Sequence, residues 1–249
     1  MPEQKRLSLA GIGCGSRTRT YMKLAMEQKN RYRIAAAADP VKQRTEAVRD
    51  FAPEEERDSV RLFKDAASLL AEPRLADVAI IGTQDDYHYA PCRKAMELGY
   101  HVLLEKPIAK TLKEALELQG CQFKSETDTE VLVQLIEYVK TTNDCTLVEA
   151  VREALKEVVG AYAIAVVDTT EPDTVVAARK SSPLVIGIGE DETFLASDAT
   201  PIVEYTDKVV YLNDDEIAII RRGEPLKIIT TDNQSAEIDI QTLKLSVSQ

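Results

Sequence analysis

The stretch RLSLAGIGCGSRT, residues 6–18, decides the fold of this 249-residue chain. A short apolar run over residues 6–12 ends in glycines, and a segment with helical spacing follows at residues 18–28. An apolar run that stops at glycines just before a helix is typical of a buried parallel strand. Outward from this stretch, strands and helices continue to alternate over roughly the first 120 residues.

The alternation predicts a parallel sheet with helices on both faces, which is an α/β fold of the Rossmann type. The other predicted strands of this part are residues 32–38, 60–63, 77–82 and 101–104. Its other predicted helices are residues 41–51, 65–71, 90–98 and 111–119.

The pattern changes after Gly120, where two helices follow in succession at residues 129–140 and 147–159. Short strands come next, and closely spaced strands joined by short turns predict a mostly antiparallel α+β half. These strands are residues 162–167, 174–178, 184–188, 209–212, 217–221, 226–230 and 237–240, with hairpin connections predicted at 213–215 and 222–224. The predicted domains are therefore residues 1–120 and 121–249, with the junction near residues 120–123.

Composition excludes several classes of function. The net charge of −11 argues against binding of nucleic acid or of anionic membrane surfaces. No apolar stretch is long enough to span a membrane and no signal-peptide core is present, so we expect a cytoplasmic protein. Four separated cysteines without a CxxC pair and two histidines predict free thiols and no metal site.

The glycine-rich turn predicts a dinucleotide site, because glycine lets a strand turn tightly and lets pyrophosphate approach the amides of a helix N-terminus. Two registers are open. Either Gly13 and Gly15 form the first pair with Thr18 third, which we prefer, or Gly11 and Gly13 form it with Ser16 third. A glycine-rich turn without a ligand is the alternative.

Asp39 strengthens the prediction of a dinucleotide site, because it ends the second predicted strand, where a carboxylate can bind the ribose hydroxyls of adenosine. Its charge would repel a 2′-phosphate, which favours NAD over NADP, although Lys42 and Arg44 lie nearby. Asp39 could instead simply begin a turn before Pro40.

Residues 76–118, ADVAIIGTQDDYHYAPCRKAMELGYHVLLEKPIAKTLKEALEL, resemble the Gfo/Idh/MocA family of oxidoreductases, which act mainly on sugars and polyols. The family follows an apolar strand with Thr-Pro, then a histidine, then A-x-x-x-G-x-x-V-x-x-E-K-P. This chain has Thr83, His88 and Glu105-Lys106-Pro107 at those places, with Gln84 in place of the proline. The resemblance covers roughly residues 6–119.

The resemblance implies an NAD-binding module in which Lys106 is the catalytic residue, a cation near nicotinamide and substrate that stabilises a developing alkoxide. It further implies that Pro107 follows a cis bond that aims Lys106 into the cleft. His88 either contacts the cofactor or makes a structural hydrogen bond, and Cys14 is a small residue and not a nucleophile. The predicted cofactor-binding residues are Gly13, Gly15, Ser16, Arg17, Asp39, Thr83, His88, Glu105, Lys106 and Pro107.

From about residue 123 the chain resembles the glutaminase domain of glutamine–fructose-6-phosphate aminotransferase, with Ser125-Glu126-Thr127-Asp128 as the best match. The resemblance implies a half of the N-terminal-nucleophile hydrolase type, in which Asp128 binds the α-amino group of glutamine. A helix N-cap is the structural alternative for Asp128. The family needs an N-terminal cysteine and an Asn-Gly pair, but Pro2 follows Met1 and the chain has no Asn-Gly.

These features predict a chimera, engineered by joining parts of two enzymes at a helix that both parents can supply. The family's substrate domain, with its Asp-x-x-x-His pair, is missing, because no histidine follows His101. Three hypotheses follow: an NAD(H)-binding module with little turnover, a working NAD-dependent sugar or polyol oxidoreductase, and a structural chain without a ligand. Sheet edges that lack their parental neighbours would offer surfaces for homo-oligomerisation.

Overall fold

A computed structural model describes residues 5–28 and 30–243 of the chain. The chain divides into two compact units, Met1–Phe123 and Lys124–Gln249. Each unit has hydrophobic clusters of its own. Within the described ranges, none of the helices combines the length and the apolar character that crossing a bilayer would require.

The first unit is built on a five-stranded parallel sheet in the order β3-β2-β1-β4-β5. The strands are β1 (Leu7–Ile12), β2 (Tyr32–Ala38), β3 (Arg61–Phe63), β4 (Val78–Ile81) and β5 (His101–Leu104). This arrangement confirms the predicted Rossmann-type sheet. Because β1 pairs with β2 on one side and with β4 on the other, the strand order reverses at β1 and leaves a crevice at the carboxyl ends.

Helices cover both faces of this sheet. They are α1 (Ser16–Glu27), α2 (Lys42–Arg49), α3 (Ala66–Leu70), α4 (Tyr89–Glu97) and α5 (Leu112–Leu118). On one face Met22 of α1 and Val48 of α2 are fully buried in a cluster with Ile34. On the other face Leu69 of α3 and Cys92 of α4 are buried with residues of β1 and β4. Burial on both faces explains why the strands are continuously apolar.

The second unit begins with two helices, α6 (Asp128–Asn143) and α7 (Leu147–Leu155), which pack against each other. Its strands are β6 (Tyr162–Val167), β7 (Thr174–Lys180), β8 (Val185–Ile188), β9 (Thr193–Ala196), β10 (Lys208–Tyr211), β11 (Glu216–Arg221), β12 (Lys227–Thr230) and β13 (Gln241–Thr242). They form two antiparallel sheets, β12-β11-β7-β6 and β13-β10-β8-β9. The mostly antiparallel character predicted for this half is confirmed.

The two sheets share one core. Ile186 and Val210 from one sheet and Ala177 and Ala218 from the other lie buried in a single cluster. Helix α7 packs on β7, so the layers run helix, sheet, sheet. This layering buries one face of each element against the next, as a stable domain requires.

One of the two predicted hairpin connections differs from the sequence prediction. Residues 222–224 do lie between paired strands, because β11 and β12 are antiparallel neighbours. Residues 213–215 are not a hairpin turn, because β10 and β11 belong to different sheets. Asp214 holds this crossing between sheets: its carboxylate accepts hydrogen bonds from Arg179 at 2.5 Å and from the Ser181 N–H at 2.9 Å.

The prediction of a strand at residues 237–240 is wrong, and β9 was not predicted. Residues 237–240 run from the edge strand β12 to β13, which belongs to the other sheet, so they have no ladder partner along their length. Ile238 packs on the core between the sheets, which explains the apolar signal without a strand. β9 pairs with β8 instead, and its Phe194 lies against the buried Ile202 cluster.

Candidate cofactor-binding site

The turn after β1 requires glycine at Gly13. Its φ is +72°, and a Cβ built there would lie 2.7 Å from the backbone of Thr83, a distance that real Cβ atoms do not show. Gly13 also donates its N–H to the carbonyl of Ala38 at 2.8 Å. The turn is therefore wedged between the ends of β2 and β4, and only a residue without a side chain can occupy it.

Gly15 is different, because the protein itself leaves it free to carry a side chain. It is the N-cap of α1 with an ordinary φ of −68°, and a Cβ there would meet only the carbonyl of Gly82 at 3.9 Å. No side chain caps this helix end. Open space beside unsatisfied N–H groups at a helix N-terminus is where an anionic group binds.

Thr18 provides the close packing between α1 and the sheet. It is fully buried, and its hydroxyl donates to the carbonyl of Gly13 at 2.6 Å. Its bulk is accommodated by two glycines, since a Cβ at Gly82 would lie 2.4 Å from Thr18 Oγ1 and one at Gly11 3.1 Å from Thr18 Cγ2. The geometry fits the register Gly13, Gly15, Thr18, because Gly11 lies inside β1.

A cavity of about 870 Å³ opens beside this turn at the carboxyl ends of the parallel strands. Its lining is mostly apolar and includes faces of α3 and α4. The lining residues are Gly13, Gly15, Ala38, Asp39, Pro40, Val41, Arg44, Asp65, Ala66, Ala67, Leu70, Ala71, Gly82, Thr83, Gln84, Asp86, Tyr87, Ala90, Pro91 and Lys94. Its volume is in the range of small-molecule and cofactor sites.

Asp39 lies in this lining directly after β2, with a side chain only 3% exposed. Its Oδ1 accepts the N–H of Val41 at 2.8 Å, and its Oδ2 lies 3.7 Å from Arg44 Nη1. Asp39 thus both begins the turn before Pro40 and places its carboxylate at the cavity. Burial, reinforced by the nearby charge of Asp39, raises the pKa of Cys14 to about 12, so Cys14 stays a thiol.

Thr83 and Gln84 follow β4 and both line the cavity. The Thr83 hydroxyl donates to the carbonyl of Tyr87 at 2.9 Å, which closes the loop before α4. Gln84, in place of the family's proline, has φ −75° and ψ 155°, a backbone that proline also adopts. The backbone at Gln84 is thus compatible with the proline that the family carries at this place.

Glu105, Lys106 and Pro107 follow β5 and lie outside the cavity lining. The Lys106–Pro107 peptide is cis. Lys106 is exposed, and no hydrogen bond or ion pair of its ammonium is found within residues 5–28 and 30–243. Tyr21 of α1 donates its hydroxyl to the Glu105 carboxylate, which lowers the pKa of Glu105. The sequence pattern does not indicate Tyr21 as a partner of Glu105, because helical spacing over residues 18–28 carries no signal for a contact 84 residues away.

His88 lies beneath these loops and not on the cavity surface. It is 1% exposed, its Nδ1 lies 2.8 Å from the carbonyl oxygen of Pro107, and its Nε2 lies 3.0 Å from that of Thr83. Both ring nitrogens are therefore occupied by the protein's own backbone. This geometry fits the structural alternative for His88, and a contact with the cofactor stays a prediction.

Ser16 and Arg17 begin α1 and are exposed, but neither lines the cavity. In the second unit, Asp128 is the exposed first residue of α6. Asp128 is not the helix cap, because Thr127 occupies the N-cap and its hydroxyl accepts the N–H of Glu130 at 3.4 Å. Among the described residues, no group of three or more His, Cys, Asp or Glu side chains is placed to hold a metal ion.

Comparison with known proteins assigns the first and the later part of the chain to two different families. Residues 7–134 match the Gfo/Idh/MocA family, described as an oxidoreductase family with an NAD-binding Rossmann fold. Residues 108–204 match the glutamine amidotransferase domain. The two matches overlap over residues 108–134, which contain α5 and the start of α6. The chain is thus a fusion of parts of two families.

The curated relatives are glutamine–fructose-6-phosphate aminotransferases. That of Bacteroides thetaiotaomicron is 55% identical over 162 residues, which cover 65% of this chain and 26% of the relative. That of Chlorobaculum tepidum is 48% identical over 139 residues, covering 55% and 22%. The chain thus spans about a quarter of the length of these relatives.

Solved structures similar to this chain are oxidoreductases. UDP-N-acetylglucosamine 3-dehydrogenase from Acidithiobacillus ferrooxidans is 17% identical with a TM-score of 0.37, covering 99% of this chain and 85% of that one. Myo-inositol dehydrogenase from Lactobacillus casei, solved with NAD(H) and myo-inositol, is 15% identical with a TM-score of 0.41, covering 97% and 76%.

The close contact of Gly13 with the backbone of Thr83 predicts that Gly13→Ala destabilises the first unit by more than about 2 kcal/mol. The reason is that left-handed strain adds to a backbone clash. Gly99→Ala is the matched control in the same unit. Gly99 has φ +78°, but a Cβ there would meet only Arg74 Nη1 at 3.8 Å, so it should cost only about 1 kcal/mol. Hydrogen exchange of the β1 and β4 amides measures both costs, and equal costs would contradict the clash.

Proposed function

The chain belongs, through residues 7–134, to the Gfo/Idh/MocA oxidoreductase family, and on that premise we propose that its first unit binds NAD(H) and turns it over slowly or not at all. The proposal rests on one observation, the open space at Gly15 where α1 begins beside the cavity. Bound there, the cofactor would exchange a hydride with a substrate.

The residues of the first unit suit the parts of this cofactor. The backbone N–H groups at Gly15 and the first turn of α1 would hold the pyrophosphate, since the helix end is uncapped. The carboxylate of Asp39 would accept hydrogen bonds from the ribose hydroxyls. The apolar faces of α3 and α4 in the cavity suit a flat base.

A choice of NAD over NADP is part of the proposal. The buried carboxylate of Asp39 would repel a 2′-phosphate, and burial makes this repulsion stronger than at an exposed site. Arg44 opposes this preference for NAD, because its positive guanidinium lies 3.7 Å from Asp39 and would attract a 2′-phosphate. The guanidinium is half exposed, however. The carboxylate is deeper in the lining than the guanidinium, so NAD is favoured.

The experiment for the proposal is NADH titration of Gly15→Val by fluorescence. A β-branched side chain would fill the space for the pyrophosphate, and affinity should fall at least tenfold, about 1.4 kcal/mol. The thermal transition should change little, since nothing in the protein lies closer than 3.9 Å to the added Cβ. Wild-type affinity in a folded Gly15→Val variant would overturn the binding site, and absence of NADH binding by the wild type would favour the structural chain without a ligand.

Cofactor choice gives a second prediction, with two opposing variants. Asp39→Asn keeps an acceptor for the Val41 N–H but removes the charge, so NADH affinity should fall roughly tenfold and NADPH affinity should rise. Arg44→Gln should weaken NADPH by about fivefold and leave NADH almost unchanged. Measuring both affinities in both variants separates the contributions, and an unchanged NADH-to-NADPH ratio in both would contradict the assignment.

Slow turnover is expected, because no histidine follows His101 in this sequence that could serve in the Asp-x-x-x-His pair of the family's substrate domain. Lys106 is the retained family residue that could stabilise negative charge on a substrate oxygen. The alternative is a working oxidoreductase for sugars or polyols. The exposed, unpaired ammonium of Lys106 within the described residues is the observation that favours it.

Any residual hydride transfer should therefore depend on Lys106. Lys106→Ala should lower the rate by two to three orders of magnitude, roughly what loss of such a donor costs elsewhere. Lys106→Arg keeps the charge and should retain more activity. NADH absorbance is followed across sugars and polyols with NAD. Turnover by the wild type that Lys106→Ala leaves equally fast would contradict the role of Lys106.

We propose an engineered origin, with the join at α5. This helix carries its own capping box, in which Thr111 and Glu114 each bond the other's backbone, so it can form in either context. The overlap of the two family matches includes α5, which supports a join at a helix that both parents supply.

The second unit should have no glutaminase activity. The residues before the overlap match the oxidoreductase family. They therefore supply neither the nucleophilic cysteine of the amidotransferase family nor the arginine segment with which that family holds the carboxylate of glutamine. The chain also lacks an Asn-Gly pair for the oxyanion. Incubation with glutamine should release no glutamate or ammonia above buffer. Release by the wild type that disappears in Asp128→Ala would contradict this prediction.

A further inference from the structure

His88 joins the two loops that follow the neighbouring strands β4 and β5. Its Nε2 lies 3.0 Å from the carbonyl oxygen of Thr83, and its Nδ1 lies 2.8 Å from that of Pro107. Thr83 lines the cavity, and Pro107 follows Lys106 directly. One buried ring therefore connects the cavity wall to the turn that carries the lysine.

Both partners of the ring are acceptors only. A carbonyl oxygen has no proton to give, so each contact needs an N–H on the ring. A neutral imidazole has one N–H and would turn a lone pair toward the other oxygen, an unfavourable arrangement in a site that is 1% exposed. An imidazolium has two N–H groups and satisfies both carbonyls at the observed distances.

The charged surroundings are compatible with an imidazolium. Glu105, after β5, interacts electrostatically with His88, and its carboxylate also accepts from Tyr21 of α1. Arg17 of α1 also acts electrostatically on Glu105. Asp85 and Asp86 precede His88 in the same turn, and Asp86 is paired with Lys110. On its own helix α4, the nearby titratable side chains are Tyr89 and Cys92.

We infer that His88 is held as the imidazolium and is a positioning residue, which fixes the turn of Lys106 against the Thr83 loop through two donated hydrogen bonds. Its value for hydride transfer rests on the proposed function. The two hydrogen bonds of His88 are a property of the ligand-free protein, so this inference and the proposed function can fail separately.

The test is nuclear magnetic resonance of the imidazole nitrogens in the full chain without cofactor, at about pH 8, where an imidazole of ordinary pKa, about 6.5, is almost entirely neutral. The chain contains only His88 and His101, so His101→Gln leaves a single ring to observe. The expected result is two protonated ring nitrogens with similar shifts, both slow to exchange. One protonated and one unprotonated nitrogen would overturn the inference.

A variant pair tests positioning apart from folding. His88→Gln retains a donor that can reach one carbonyl, whereas His88→Leu fills the space without a donor. In each variant, the amide resonances of Lys106 and Ile108 are compared with the wild type. We expect large changes at both amides in His88→Leu, smaller changes in His88→Gln, and unchanged resonances in β2. Wild-type resonances at Lys106 in His88→Leu would overturn the positioning role, whatever the NADH affinity.

Discussion

The close approach of α1 to the carboxyl ends of β1 and β4 is the constraint on which the first unit depends. Gly13 touches the backbone of Thr83, and Gly82 makes room for the side chain of Thr18. Removing side chains at these points lets the helix N-terminus come within reach of the crevice where the strand order reverses. The cavity, the open space at Gly15 and the place of Asp39 all follow from this contact.

The loops after β4 and β5 form a second layer of the same site. His88 bonds both loops through buried contacts, and Tyr21 bonds Glu105 from α1. Within the described residues, the ammonium of Lys106 makes no hydrogen bond or ion pair to the protein.

The second unit shows why a fused fragment can still form a core. Its two sheets bury apolar residues against each other, and α7 packs on both α6 and β7. Strand β6 remains at the edge of its sheet, and Val167 at its end is 73% exposed. Association of copies through such edges stays a prediction. The fragment thus has a core of its own, and the absence of glutaminase activity stays a prediction.

The sequence by itself determined the periodic pattern of the first unit, its parallel sheet, the glycine turn and the fusion of two families, because these are written in local residue order and spacing. Gly13, Asp39 and the Glu105-Lys106-Pro107 segment could be named for the same reason. Only the tertiary structure decided that residues 213–215 cross between sheets and that His88 faces two carbonyl groups. Which strand lies beside which, and which backbone oxygen a buried ring meets, depends on contacts distant in sequence, and local pattern carries no record of them.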